Sequence, residues 1–154
     1  MLSEGEEAPD FRLADQDGRE HRLQDLLGEG PVMLLFYPND HRAIFSSRAD
    51  SFHRMVGELM DRGMGALGVT MGTPKVNRDL VETLSLPFPL LSDREARATK
   101  PYDVMIRGDM LSMMANRAVF LVDREGRIAY AWSAPHPGMH PDREEVRSAG
   151  EALL

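Results

Sequence analysis

A strongly apolar run, Val32-Met33-Leu34-Leu35-Phe36-Tyr37, stands between Gly30-Pro31 and Pro38-Asn39-Asp40. Such a run has no polar face to offer water. Its length and its Gly and Pro boundaries predict a strand buried on both faces. A strand of that kind needs a packed layer above it and another below it. The rest of the chain must therefore supply helices that cover a sheet.

The flanking segments supply them. Phe11–Leu13 and Glu20–Leu23 flank Asp15-Gln16-Asp17-Gly18, which reads as a hairpin turn. Gln24–Leu27 reads as a single helical turn ended by Gly28. After the apolar run, Phe52, Met55, Val56, Leu59 and Met60 recur at spacings of three and four. That predicts a helix over about 46–62 with one apolar face, ended by Gly63 and Gly65. Ala66–Thr70 reads as a second central strand, and Thr73-Pro74 as a helix N-cap followed by proline at the first helical position. That helix runs to about Leu84. Leu86–Leu91 is extended, because Pro87 and Pro89 push the residues before them out of the helical region. Ser92 or Asp93 is expected to cap a short helix to about Thr99. Residues 103–116 give no clear period. Ala118–Val122 and Arg127–Trp132 read as a hairpin, Pro135–Pro141 as a loop, and Asp142–Leu154 as a final amphipathic helix. The order predicts a mixed sheet with helices on both faces.

Composition bounds function. At 154 residues the chain can bury a sizeable core. Its net charge of −7 argues against phosphate-backbone binding, so no nucleic-acid partner is expected. The apolar run is too short to span a bilayer, and the acidic start MLSEGEEAPDF has no apolar leader core. No membrane partner and a cytoplasmic location follow as expectations. The absence of cysteine excludes disulfides, thiolate metal sites and cysteine nucleophiles.

Local candidates for chemistry are few. Asp40-His41, with His53, is the nearest approach to an acid–base pair. His136 and His140 have a metal-like separation, but Pro135, Pro137 and Pro141 prevent a shared helical face. They are expected to be solvated loop histidines, with no metal and no cofactor. Met105, Met110, Met113 and Met114 fit either a soft-metal or partner-binding patch, or a core or mobile apolar loop.

The whole chain resembles the peroxiredoxins, in particular the alkyl hydroperoxide reductase/thiol-specific antioxidant and bacterioferritin-comigratory group. The resemblance is carried by Gly5-Glu6-Glu7-Ala8-Pro9-Asp10-Phe11 and by Leu34-Leu35-Phe36-Tyr37-Pro38. It continues through Leu67-Gly68-Val69-Thr70, Leu86–Asp93 and Tyr102-Asp103-Val104. Arg117, Phe120-Leu121-Val122-Asp123, Gly126 and Ile128 complete it. It implies one α/β domain over residues 1–154, with a thioredoxin-like fold and an N-terminal β-hairpin.

The resemblance also implies a site, and there the chain departs from it. The family's loop proline is followed by Thr, the peroxidatic Cys, and Glu or Gln. Counting from Pro38 places Arg42, Phe45 and Arg48 at those positions. Only sulfur is oxidised to a sulfenic acid and reduced back in this chemistry, so Phe45 removes the expected reaction. Ser46 and Ser47 lie next to the vacant position, but a hydroxyl without a base is a poor nucleophile. Pro38 and Arg117 remain from the signature. No catalytic residue is assigned. Arg117, with Asp40 and His41, is the expected ligand-binding group, paired with a carboxylate such as Asp40 or with a bound anion.

The sequence therefore reads as a peroxiredoxin-like protein without a peroxidatic cysteine. It is expected to bind a small anion or apolar ligand, or to pair with itself as a homodimer or with a cysteine-bearing relative. The alternative is an antioxidant, peroxide-reducing oxidoreductase that works through a bound metal or a partner's thiol.

Overall fold

The computed structural model describes residues 1–39, 47–107, 113–136 and 138–154. The apolar run forms β3 (Val32–Phe36), every residue of which is buried. β4 (Gly65–Thr70) lies parallel to it on one side, and β8 (Ala118–Val122) antiparallel on the other. β5 (Leu90–Ser92) and β9 (Ile128–Ser133) complete a five-stranded mixed sheet in the order β5-β4-β3-β8-β9. A separate pair, β1 (Arg12–Ala14) and β2 (Glu20–Arg22), forms the N-terminal hairpin and leads into α1 (Leu23–Leu27).

The two-residue period of β3 divides the core. Leu34 and Phe36 face one cluster, with Phe11, Leu23, Tyr102 and Phe120. Met33, Leu35 and Tyr37 face the other, with Phe52, Met55 and Leu59 of α2 (Ser47–Asp61). The second face is the helical one. There α2 is joined by Leu80 of α3 (Pro74–Leu84) and Val146 of α4 (Arg143–Glu151). The first face is closed by α1, the N-terminal hairpin and the turns around Ala98 and Tyr102. Each large apolar side chain buried in this way contributes roughly 1.5–3 kcal/mol.

The helix ends follow local chemistry. The Thr73 hydroxyl accepts from Val76 N at 3.2 Å, with Pro74 opening α3 as expected. Asp142 caps α4 through Glu145 N at 3.0 Å, and that helix ends at Glu151, before the expected Leu154.

Two segments differ from the sequence reading. After Asp93 there is no helix but a series of turns. The Asp93 carboxylate accepts the Arg97, Ala98 and Thr99 N–H groups and the Thr99 hydroxyl, and Ala96 turns into the left-handed region at φ 57. These bonds occupy donors that a helix would direct along its axis. The second segment, 103–116, contains β6 (Met105–Arg107) and β7 (Met113–Ala115), paired antiparallel.

Candidate functional site

The site is built where β3 and β8 end side by side. Phe36 pairs with Ala118, so Tyr37 and Arg117 stand one step beyond the last pair. Tyr37 N donates to Val69 O at 2.9 Å, which extends the strand direction up to Pro38. Arg117 N donates to Asn116 Oδ1 at 3.0 Å, and Arg117 O accepts from Ala134 N at 2.9 Å. The Arg117 backbone is thereby held on both sides before its side chain makes any contact.

That side chain turns inward and is only 5% exposed. Its Nη1 donates to the Met139 carbonyl at 3.0 Å. Its Nη2 is buried and has no hydrogen-bond partner among the described residues. Among the described residues no carboxylate forms an ion pair with it. Burial lowers the Arg117 pKa, and the neighbouring Tyr37 oxygen partly offsets this. A guanidinium starts so far above neutrality that it keeps its charge.

Two aromatic groups stand beside it. His53, from the middle of α2, is buried, and its Nε2 lies 2.8 Å from the Tyr37 hydroxyl oxygen. The imidazole meets the rings of Tyr37 and Phe88 edge to face, with centroids 5.9 and 5.7 Å apart. Burial pushes its pKa down to about 4. Asp50 acts in the opposite direction, while Arg117 and His140 add to the lowering. Burial also raises the Tyr37 pKa far above its usual value, against the pull of Arg117. At neutral pH the phenol and the imidazole are therefore both uncharged, and Arg117 carries the charge of the cluster.

Tyr37, Phe52, His53, Arg117, His140 and Pro141 help to line one small cavity. It gives the centre of a water-sized sphere about 20 Å³ to occupy. One water needs about 10–15 Å³ by that measure, so there is room for one or two water-sized groups. The arrangement offers charge, hydrogen-bond donors and an apolar wall. An imidazole with a pKa near 4 is a weak base at pH 7, which leaves His53 poorly suited to activate a nucleophile.

The structure brings together some of the residues singled out from the sequence. Pro38 stands at the exit of β3, and Arg117 stands beside that strand end. Arg48 lies on α2. Asp40, His41, Arg42, Phe45 and Ser46, with Met110, lie outside the described residues. His53 was grouped with Asp40 and His41 by sequence; its partner in the structure is Tyr37. His140 is not a solvated loop residue but is half-buried at the cavity edge, while His136 is exposed. Among the described residues, no cluster of three or more His, Asp or Glu is placed to hold a metal ion. Sequence reasoning missed Tyr37 as a site residue. The available signal was its hydroxyl, which must find a partner once buried at the end of an apolar strand.

Residues 5–131 match the AhpC/TSA family. The chain belongs to that family. The alkyl hydroperoxide reductase E of Mycobacterium tuberculosis is 31% identical over 155 residues, covering 99% of each chain. The chloroplastic peroxiredoxin Q of Oryza sativa subsp. japonica is 28% identical over 132 residues, 86% of this chain and 59% of that protein. The crystal structure of peroxidoxin BcpB from Mycobacterium tuberculosis superimposes with a TM-score of 0.80 at 24% identity, covering 100% of this chain and 99% of that one. The chain thus carries the family's fold without a cysteine.

Proposed function

We propose that this AhpC/TSA protein is not a thiol peroxidase and acts instead as a binding protein, with a small anion held in the cleft at Arg117. The observation that carries this reading is Arg117 Nη2, a charged donor buried in the cleft without a partner among the described residues. Burying such a group is costly unless something accepts from it. An anion supplies both the acceptor and the opposite charge. Zero cysteine removes the thiol cycle that relatives' names imply.

The test has two arms. Peroxide consumption is followed with purified, chelator-treated protein and either dithiothreitol or a thioredoxin system; the expected rate is that of the buffer. Steady turnover would favour the oxidoreductase alternative, in which a bound metal or a partner's thiol does the chemistry. In the second arm, thermal melting is recorded in buffers of matched ionic strength with chloride, formate, acetate or phosphate. Stabilisation by at least one of these over an inert large anion is expected, and no response to any of them removes the binding reading.

Pairing belongs to the same proposal. Met113 is among the exposed large apolar residues, and it lies on the β6–β7 hairpin. We propose that this region takes part in a homodimer, which sedimentation at micromolar concentration would reveal as a species of twice 17.3 kDa.

A further inference from the structure

We infer that His53 is a second recognition residue of the Arg117 cleft and that the ligand is a small planar carboxylate, one oxygen meeting Arg117 Nη2 and the other His53 Nδ1. The inference rests on the anion-binding reading above and narrows it to one ligand class.

The argument starts from hydrogen-bond satisfaction. Tyr37 is a buried phenol whose hydroxyl meets His53 Nε2 at 2.8 Å. A buried phenol that keeps its proton must direct it to an acceptor. Among the described residues the partner of this hydroxyl is His53 Nε2. Nε2 is therefore the accepting nitrogen of a neutral ring, and the ring proton sits on Nδ1. Tyr37 acts as a positioning residue that sets the tautomer.

His53 Nδ1 is itself buried and, like Arg117 Nη2, has no partner among the described residues. Two buried donors thus remain unsatisfied on two residues that line one cavity. The Arg117 charge also acts on the imidazole, since it contributes to lowering the His53 pKa. Leaving two such buried donors without acceptors is costly. A ligand with two acceptor oxygens on one centre satisfies both.

Other occupants fit less well. A water can accept from both donors but leaves the guanidinium charge uncompensated among Leu35, Phe36, Ala49 and Val119. Chloride compensates the charge but is a single acceptor. Phosphate brings more oxygens than the two donors serve and exceeds the one or two water-sized groups the cavity admits. Formate carries one charge on two equivalent oxygens held by a single carbon.

Calorimetric titration with sodium formate, sodium chloride and sodium phosphate tests the assignment on the whole protein. Wild type should bind formate at least tenfold more tightly than chloride or phosphate. Arg117→Met should abolish formate binding. His53→Phe and His53→Gln should each weaken it at least tenfold, and circular dichroism on both identifies a variant that has merely failed to fold. Tyr37→Phe should weaken it less. Nitrogen-15 spectra of the imidazole should show a proton on Nδ1 in wild type and a mixture of tautomers in Tyr37→Phe. Formate binding lost in Arg117→Met but kept in a folded His53 variant would overturn the role of His53 and leave the anion-binding reading standing. Equal affinity for chloride would overturn the carboxylate assignment. No binding of any of the three salts would overturn the anion-binding reading itself, and this inference with it.

Discussion

Arg117 Nη1 lies 3.0 Å from the Met139 carbonyl oxygen, so one guanidinium ties the start of β8 to the loop that leads into α4. The same side chain therefore has a structural bond on one nitrogen and, on the other, a donor with no partner among the described residues. Replacing it separates the two roles.

Arg117→Ala should destabilise the protein by about 1–3 kcal/mol, from a lost charged hydrogen bond and a new void. Arg117→Met keeps the volume and removes a buried charge that has no described counter-charge. Such replacements are often neutral or stabilising, so its melting point in anion-poor buffer should lie close to wild type. Both variants should lose all anion-dependent stabilisation. Melting curves with and without formate check both statements.

Stability should depend on pH in two separate windows. His53 has a folded pKa of about 4, below its usual 6.5. The unfolded chain binds the proton more readily, so stability is unaffected above about pH 6.5 and falls as pH drops from there to about 4. The full loss is on the order of 3 kcal/mol. Asp15 acts lower. Burial raises its pKa, but hydrogen bonds from His21, Asp17 N and Arg19 N, with the His21 charge, hold it below 3.8 overall. Its contribution is present above that value and is lost as pH falls through the folded pKa. Urea denaturation across pH should therefore flatten between 6.5 and 4 in His53→Phe, and below 4 in Asp15→Asn.

Asp93 is fully buried and accepts four hydrogen bonds within the turns that follow β5. Asp93→Ala strands several of those donors and should cost about 3–5 kcal/mol, while Asp93→Asn, which keeps one acceptor oxygen, should cost less. Chemical denaturation of the two variants gives the comparison.

Phe45→Cys alone should show at most weak peroxidase activity with dithiothreitol. The resemblance puts Arg42 where the family has a hydroxyl, and preorganised donors carry a large part of such rates. Phe45→Cys with Arg42→Thr should be faster. A single variant as fast as the double would count against the assigned register.

Much of the frame could be read from the chain because its cues are local. The unbroken apolar run became β3, the three-and-four spacing became α2, and Thr73-Pro74 became the cap of α3. The turns after Asp93 read as a helix in sequence because a carboxylate one residue before a polar stretch looks like a cap in either case. Its choice of Arg97, Ala98 and Thr99 as donors is a three-dimensional fact. The β6–β7 pair was hidden because methionine has no strong preference for a strand. Arg117 was legible through the resemblance, while the Tyr37–His53 bond was not. It joins residues sixteen apart on a strand end and a helix, and a tyrosine closing an apolar run counts first as an apolar residue.

The pairing of β3 with β8 settles more than the sheet. Slipping β8 by one residue would exchange the faces of Val119 and Phe120, which lie in opposite cores. The address of position 117 is thus set by the five buried residues of each strand and owes nothing to the loop after Pro38. Frame and contents are written in different parts of the chain. The cleft is a socket whose mounting at 117 is fixed by the sheet, so the side chain carried there can change without moving its address.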